Sequence, residues 1–372
     1  MSGQVSGFVA NGFEKVFEQF NNNFIDGLEL GAGFCVQIEG ETVIDLIGGF
    51  TDRDRKKKWD KDTLVPIYST TKPISALVIA RLVDQGRLAF DDSIAKLWPE
   101  FAQHEKDVTI AQAMSHQAGV PGFINPIDPA WWLNPPKLAE ELAKLEPMWK
   151  VGTQSGYHPL TWGYIVWELA MRAEGRSLGT HLREDICKPL DIDFWIGLPE
   201  AEHDRCAQIE KPREAPILGV MSPAKLAAFW KPWSAPNRGG RDWREAEIPS
   251  ANGHGTANSA ATLFGVFAND GKIAGREVVS KPTMKEFTME RIRGQDLVLP
   301  FDLQWAAGVM INNNGSYGPN PKTFGHSGWG GSCGFGDQSR RLSAAYVMNR
   351  QSSALVGDSR AIGLIRALYD CL

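Results

Sequence analysis

Near the start of the chain, Phe13, Val16, Phe17 and Phe20 recur at intervals of three and four, which predicts a short helix with these side chains on one face. The period then changes to two. Phe34 to Ile38 alternates, Glu39-Gly40-Glu41 has turn character, and Val43 to Ile47 alternates again before Gly48-Gly49, so a β-hairpin is expected. An extended run from Thr63 to Tyr68 leads into an apolar helix carrying Ala76, Leu77, Ala80, Leu82 and Val83, stopped at Asp84-Gln85-Gly86. From Ser69 to about Trp230 the pattern is mainly helical, broken by loops at Gly119 to Pro136 and Gly152 to Pro159. A further helix is expected between Gly253-His254-Gly255 and Ala268. Strand signals return beyond Leu303, notably Ser343 to Met348, and a last helix spans Ser359 to Tyr369. This order predicts an α+β fold whose sheet is built from both ends of the chain, with a mainly helical lobe inserted. The expected division is 1–66 plus 255–372 for the sheet lobe and 67–254 for the helical lobe, with the active site between them.

Composition narrows the function classes. With 372 residues and a formal net charge of −5, the chain has no electrostatic bias toward nucleic acid. Its one basic run, Arg53 to Lys58, is interrupted and flanked by aspartates and reads as a solvated loop. Met1 to Ala10 lacks the basic and apolar regions of a signal peptide, and no apolar run approaches a membrane span. Five scattered cysteines without Cys-x-x-Cys fit a reducing cytoplasm, which is the expected location. The seven histidines form no metal-binding spacing, and no Walker or dinucleotide loop is present. The expectation is therefore no metal, no cofactor, no nucleic-acid partner and no membrane partner; the oligomeric state is not readable.

Candidate chemistry centres on Tyr68-Ser69-Thr70-Thr71-Lys72. Pro73 suits the first turn of a helix, where its missing N–H has no intrahelical partner. Ser69 then lies at or just before the helix N-terminus with Lys72 over the same face, a Ser-x-x-Lys nucleophile arrangement. The bare pattern is weak, since Ser93/Lys96 and Ser222/Lys225 also match it. Those two read as ordinary helix N-caps, Ser93 after Asp91-Asp92 and Ser222 before Pro223. Two other stretches stand out. Tyr157 lies in the loop Gly152 to Pro159, and it would relay protons well only if cations lowered its ordinary pKa near 10; taken alone, it reads rather as a tyrosine packed at a loop–helix junction. His326 opens the glycine-rich run His326-Ser327-Gly328-Trp329-Gly330-Gly331, whose backbone could approach a ligand closely. Taken alone, His326 reads rather as a satisfied structural histidine.

Together these stretches resemble the serine β-lactamase and penicillin-binding-protein-like hydrolases, and more closely the class C β-lactamase-related esterases called family VIII carboxylesterases. Ser69-Thr70-Thr71-Lys72, Tyr157 and His326-Ser327-Gly328 stand in the family's order, supported by Met114 to Gly119, Glu174 to Leu178 and Asn252 to Ala257. The likeness runs from Phe34 to Asn349. It implies a β-lactamase/transpeptidase-like fold with an antiparallel sheet flanked by terminal helices, and a carboxylesterase acting on a small-molecule ester through a Ser69 acyl-enzyme. It also implies Ser69, Lys72 and Tyr157 as catalytic residues, with Ser69 and Trp329 backbone N–H groups as the oxyanion hole. His326, Ser327, Gly328, Trp329, His158 and His254 are the expected substrate-binding residues. Two departures matter. Tyr157-His158-Pro159 lacks the asparagine often found two residues after the tyrosine, and His326 replaces the lysine of the common Lys-Thr-Gly. Both losses remove donors suited to an anionic β-lactam, so short-chain esters are the expected substrates.

Alternatives are a β-lactamase, a D-amino-acid amidase or peptidase, and a catalytically silent scaffold of the same fold. An α/β-hydrolase reading rests on two Gly-x-Ser-x-Gly matches, around Ser177 and Ser332. Gly175 looks like the C-terminal cap of a preceding helix, and Ser332 lies in a glycine-rich loop with no helix behind it, so neither has the strand–elbow–helix context. Among 13 tryptophans, Trp131-Trp132, Trp233, Trp243 and Trp329 fall where a pocket rim could form. Trp329, next to the third motif, is the expected apolar wall.

Overall fold

A computed structural model describes residues 5–229 and 234–372. Trp233 lies outside the described residues. The strands, in chain order, are β1 (Ser6–Val9), β2 (Gly31–Ile38), β3 (Glu41–Gly49), β4 (Val65–Pro66), β5 (Phe194–Trp195), β6 (His254–Gly255), β7 (Lys272–Ile273), β8 (Arg276–Glu277), β9 (Ile292–Gln295), β10 (Asp302–Trp305), β11 (Met310–Ile311), β12 (Phe324–Ser327), β13 (Cys333–Asp337) and β14 (Leu342–Met348). Nine of them form one antiparallel sheet in the order β1-β3-β2-β14-β13-β12-β11-β10-β9. The early and late parts of the chain therefore meet at the β2–β14 seam, where Phe34 faces Tyr346.

The β2–β3 hairpin closes through Glu39 and Gly40, both at positive φ (56° and 88°), the backbone of a tight two-residue turn matched to strand twist. The N-terminal helix, Glu14–Ile25, buries Val16, Phe20, Asn23 and Phe24. Phe17, expected on that face, is instead exposed, because the buried stripe follows the i, i+4, i+7, i+8 rows. This helix packs against the C-terminal helix, Ser359–Tyr369. On the sheet's other face lies the helix Ala257–Ala268, which starts on a Thr256–Ser259 capping box. Gly334 and Gly336 of β13 admit it: a Cβ at either would collide with that helix at Phe264 or Phe267.

Between the two sets of strands the chain is mostly helical. The helix Thr71–Asp84 is buried almost all round, from Thr71 through Ala80 and again at Leu82, as a helix at the centre of a lobe must be. It packs on Thr161–Glu174, which ends at Gly175 with φ 71°, the left-handed cap expected for glycine there. Arg53 to Lys58 is exposed, the five cysteines are free thiols, and no helix among the described residues is long and apolar enough to cross a membrane.

Candidate active site

Extended β4 ends at Pro66, and the chain turns through a single 3₁₀ turn, Tyr68–Thr70, into the helix Thr71–Asp84. Tyr68 sits at φ 48°, uncommon for a buried aromatic residue, so the turn in front of the nucleophile is strained. The turn leaves Ser69 partly accessible while Thr70, Thr71 and Lys72 are fully buried. Lys72 Nζ lies 3.3 Å from Ser69 Oγ. It also donates to the carbonyl oxygens of Pro159 (2.8 Å) and Ser250 (3.0 Å). Burial pushes the Lys72 ammonium well below its ordinary pKa, and no carboxylate offsets this. A neutral amine has two N–H groups and one lone pair. With two carbonyls, which only accept, taking the N–H groups, the lone pair is left for the serine hydroxyl.

Tyr157 stands over this pair, its ring 4.8 Å from Lys72 Nζ. The ring stacks on Trp305 (5.9 Å, 11°) and meets His116 at 4.8 Å. Burial raises the phenol well above its ordinary pKa, only partly offset by a hydrogen bond with Ser69. That reverses the expectation that cations would lower it: the lysine beside it is itself driven neutral, so Tyr157 rests as a phenol. Asp296, from the loop after β9, sets the tyrosine's backbone. Its carboxylate accepts from the N–H groups of Tyr157, Val298 and Leu299 (each 2.9 Å) and from Ser155 Oγ (3.0 Å).

The third motif occupies the end of β12 and the turn that follows. His326 Nδ1 bonds Ser327 O at 2.7 Å, and because a carbonyl only accepts, Nδ1 carries the proton. Nε2 is then a bare, buried acceptor without a partner among the described residues. Burial and the nearby Lys72 push His326 down to about 3, so it is neutral and offers no cation where the family's lysine would stand. Ser327 Oγ pairs with Tyr317 Oη at 3.1 Å. Gly328 lies against the nucleophile turn, where a Cβ would fall 2.3 Å from Ile67 O. Ser332, one of the two elbow-like serines, sutures the same contact: its Oγ donates to Ile67 O (2.8 Å) and lies 3.1 Å from Thr70 Oγ1. It is buried, as is expected of a tie between two turns. The other elbow-like serine, Ser177, caps a short helix and bonds Glu247.

Two expected substrate contacts are placed otherwise. His158 has both ring nitrogens occupied by backbone, Nδ1 by Gly156 O (2.6 Å) and Nε2 by Val120 N–H (3.0 Å), so it holds two loops together and has nothing left for a substrate. His254, in β6, donates Nδ1–H to Asn252 O and faces Trp243 at 5.7 Å, with Nε2 unpartnered among the described residues. Of the candidate rim tryptophans, Trp243 and Trp132 are buried, while Trp329 is partly exposed with Phe229 6.2 Å from it. Ser93 and Ser222, the serines of the other Ser-x-x-Lys matches, accept backbone N–H bonds from Ala95 and Lys225 and are caps, as expected. Among the described residues no group of three or more histidine, cysteine or carboxylate side chains could hold a metal ion. Sequence reasoning missed Asp296 and Trp305, which carry no motif, and gave no role to His116, although the stretch Met114 to Gly119 that contains it supported the resemblance.

The family model for beta-lactamase matches residues 14–367. The chain belongs to the beta-lactamase family. A solved structure described as a novel penicillin-binding protein homolog from Caulobacter crescentus is 51% identical, with a TM-score of 0.96 over 99% of this chain and 100% of that one. A family VIII carboxylesterase structure is 40% identical, with a TM-score of 0.94 over 99% of this chain and 100% of that one. Among curated proteins, the esterase/beta-lactamase LipL of Mycobacterium tuberculosis is 31% identical over 88% of this chain and 78% of its own length. These relatives fit the resemblance carried by Ser69, Lys72, Tyr157 and His326.

Proposed function

We propose that this member of the beta-lactamase family is a carboxylesterase that hydrolyses short-chain esters through an acyl-enzyme on Ser69. The observation that carries the reading is Lys72 Nζ, 3.3 Å from Ser69 Oγ, with its other two neighbours both backbone carbonyls. The names of the family VIII carboxylesterase and of LipL support ester cleavage.

Neutral Lys72 takes the Ser69 proton as Oγ attacks the ester carbonyl. The developing oxyanion meets the backbone N–H groups of Ser69 and Trp329, neither of which has a backbone acceptor among the described residues. The Tyr157 phenol then gives its proton to the departing alkoxide and is reprotonated from the Lys72 ammonium. Water attacks the acyl-enzyme by the same route in reverse. Lys72 is thus the base of the resting enzyme and Tyr157 the acid.

A β-lactam presents a carboxylate, and the position facing it holds neutral His326 in place of a cation. β-Lactam turnover is accordingly expected to be slow. A fluorophosphonate probe should label Ser69 in the folded protein, and p-nitrophenyl acetate and butyrate should be hydrolysed with far higher kcat/KM than nitrocefin. No adduct at Ser69 would favour a silent scaffold, and equal efficiencies would remove the role given to His326.

A further inference from the structure

The oxyanion hole read above joins two segments that sequence separates by hundreds of residues, and one side chain touches both. Gln351 follows β14, is 6% exposed, and has its backbone N–H fixed on Glu210 O at 2.9 Å. Its Nε2 donates to the carbonyl of Trp329 at 3.2 Å. The same side chain also faces the phenol of Tyr68, the strained residue immediately before Ser69, with its amide N–H side toward the phenol oxygen. We infer that Gln351 is a positioning residue, holding the Trp329 and Ser69 backbone donors in register for the oxyanion.

The geometry of the turn explains why one amide suffices. Gly331 N–H donates to Gly328 O at 3.0 Å, which fixes the plane of the Gly328–Trp329 peptide. In a trans peptide the N–H points opposite to the C=O, so the Trp329 N–H is directed out of the turn. The next peptide, Trp329–Gly330, is held from behind: Gln351 takes its carbonyl. Gly330 O in turn accepts from Ser352 N–H (2.9 Å) and from buried Arg360 (3.0 Å). Gly330 lies directly against Gln351, whose Cβ and Cγ would be 2.6 Å from any Cβ added there. Without the amide, the turn keeps its shape through Ser352 and Arg360 but loses the tie to Tyr68. The two donors then no longer share a common support.

This inference rests on the Ser69–Trp329 hole, and the test separates the two. Oxygen esters and their thiono analogues differ in the acceptor offered to the hole, since sulfur is the poorer hydrogen-bond acceptor. Wild-type enzyme should prefer the oxygen ester over the thiono ester more strongly than hydroxide does in solution. Gln351→Leu, similar in volume, should lower kcat about 10-fold, a fraction of what losing a donor outright costs. KM should stay within about twofold, and the oxygen-over-thiono preference should fall. Gln351→Glu, which when ionised has no N–H for either the Trp329 carbonyl or the Tyr68 oxygen, should fall at least as far. Near-UV circular dichroism of each variant checks the fold. A folded Gln351→Leu enzyme with unchanged kcat, or with lower kcat but unchanged preference, overturns the positioning role. A wild-type enzyme with no excess preference overturns the hole itself.

Discussion

Among the described residues two lysines lie fully buried, and they are not alike. Lys72 and Lys106 each donate to two backbone carbonyls, Pro159 and Ser250 for the first, Ala143 and Leu145 for the second. Each also has an aromatic ring nearby, Tyr157 at 4.8 Å and Phe101 at 5.2 Å. Burial lowers both pKa values, Lys106 to about 8, where the charge of Glu146 partly holds it up, and Lys72 well below the ordinary lysine value with no acid to counter it. The difference lies in the third direction of the nitrogen. Lys72 faces a serine hydroxyl at the mouth of a helix; Lys106 fastens a turn. Burial and a lowered pKa therefore do not mark a catalytic amine; the neighbour at its lone pair does.

The largest effect should separate the two outright. Ser69→Ala and Lys72→Ala are each expected to lose at least about 10³-fold in kcat, with the double mutant little worse, as groups acting as one unit do. Lys72→Arg should be equally inactive, because a guanidinium does not give up its proton at working pH. Lys106→Ala should keep kcat within a few-fold while unfolding at lower denaturant. Inactive Lys106→Ala with normal folding would erase the contrast.

Tyr157→Phe keeps the stack on Trp305 and removes only the proton donor, so a loss of about 10²-fold is expected in both acylation and deacylation. Pre-steady-state bursts with p-nitrophenyl esters would show both phases slowed. An unslowed deacylation would confine Tyr157 to leaving-group protonation.

The smallest effect is in stability against pH. A lysine with a folded pKa below its unfolded value near 10.4 binds fewer protons folded than unfolded, so it destabilises the fold at low pH and this penalty lifts as pH rises. For Lys106 the relief falls between about pH 8 and the usual lysine range. For Lys72, lowered by burial alone, the relief runs the same way. Urea titrations of wild type against Lys106→Met should therefore agree in pH slope below 8 and diverge above it, by at most about 1.4 kcal/mol per unit. Against Lys72→Met the divergence should run in the same direction, stability of the wild type rising with pH. Parallel curves in both comparisons would show that neither amine is desolvated as described.

Ser69 and Lys72 were legible because helical geometry fixes their relation within four residues, whatever the rest of the fold does. The last helix, Ser359–Tyr369, was legible to the residue, since its periodicity and the Asp358 cap are local. Phe17 was not, because only the partner helix decides which neighbouring row is buried. Asp296 and Gln351 were invisible, and the role of His116 unreadable although its stretch stood out, for a stronger reason: each acts on a backbone group more than 40 positions away or across the sheet, and no spacing encodes that. Ser332 shows the converse. It carries an elbow-like pattern, yet what it does is tie the third motif to the nucleophile turn.

The seam between β2 and β14 also governs how the chain can reach this state. Asn349 accepts from Gly31 N–H and donates to Phe50 O, joining groups as far as 318 positions apart. On a ribosome, the β2–β3 hairpin emerges early and then waits with one edge unpaired through the synthesis of almost everything else. Long-range pairing of this kind is slow, and an open strand edge invites pairing with another chain. The helical middle, rich in local contacts, can organise first and shelter nothing of that edge. A chain truncated before Leu342 should accordingly aggregate while retaining helical circular dichroism, and newly made full-length protein should depend on holding factors until its last strand arrives.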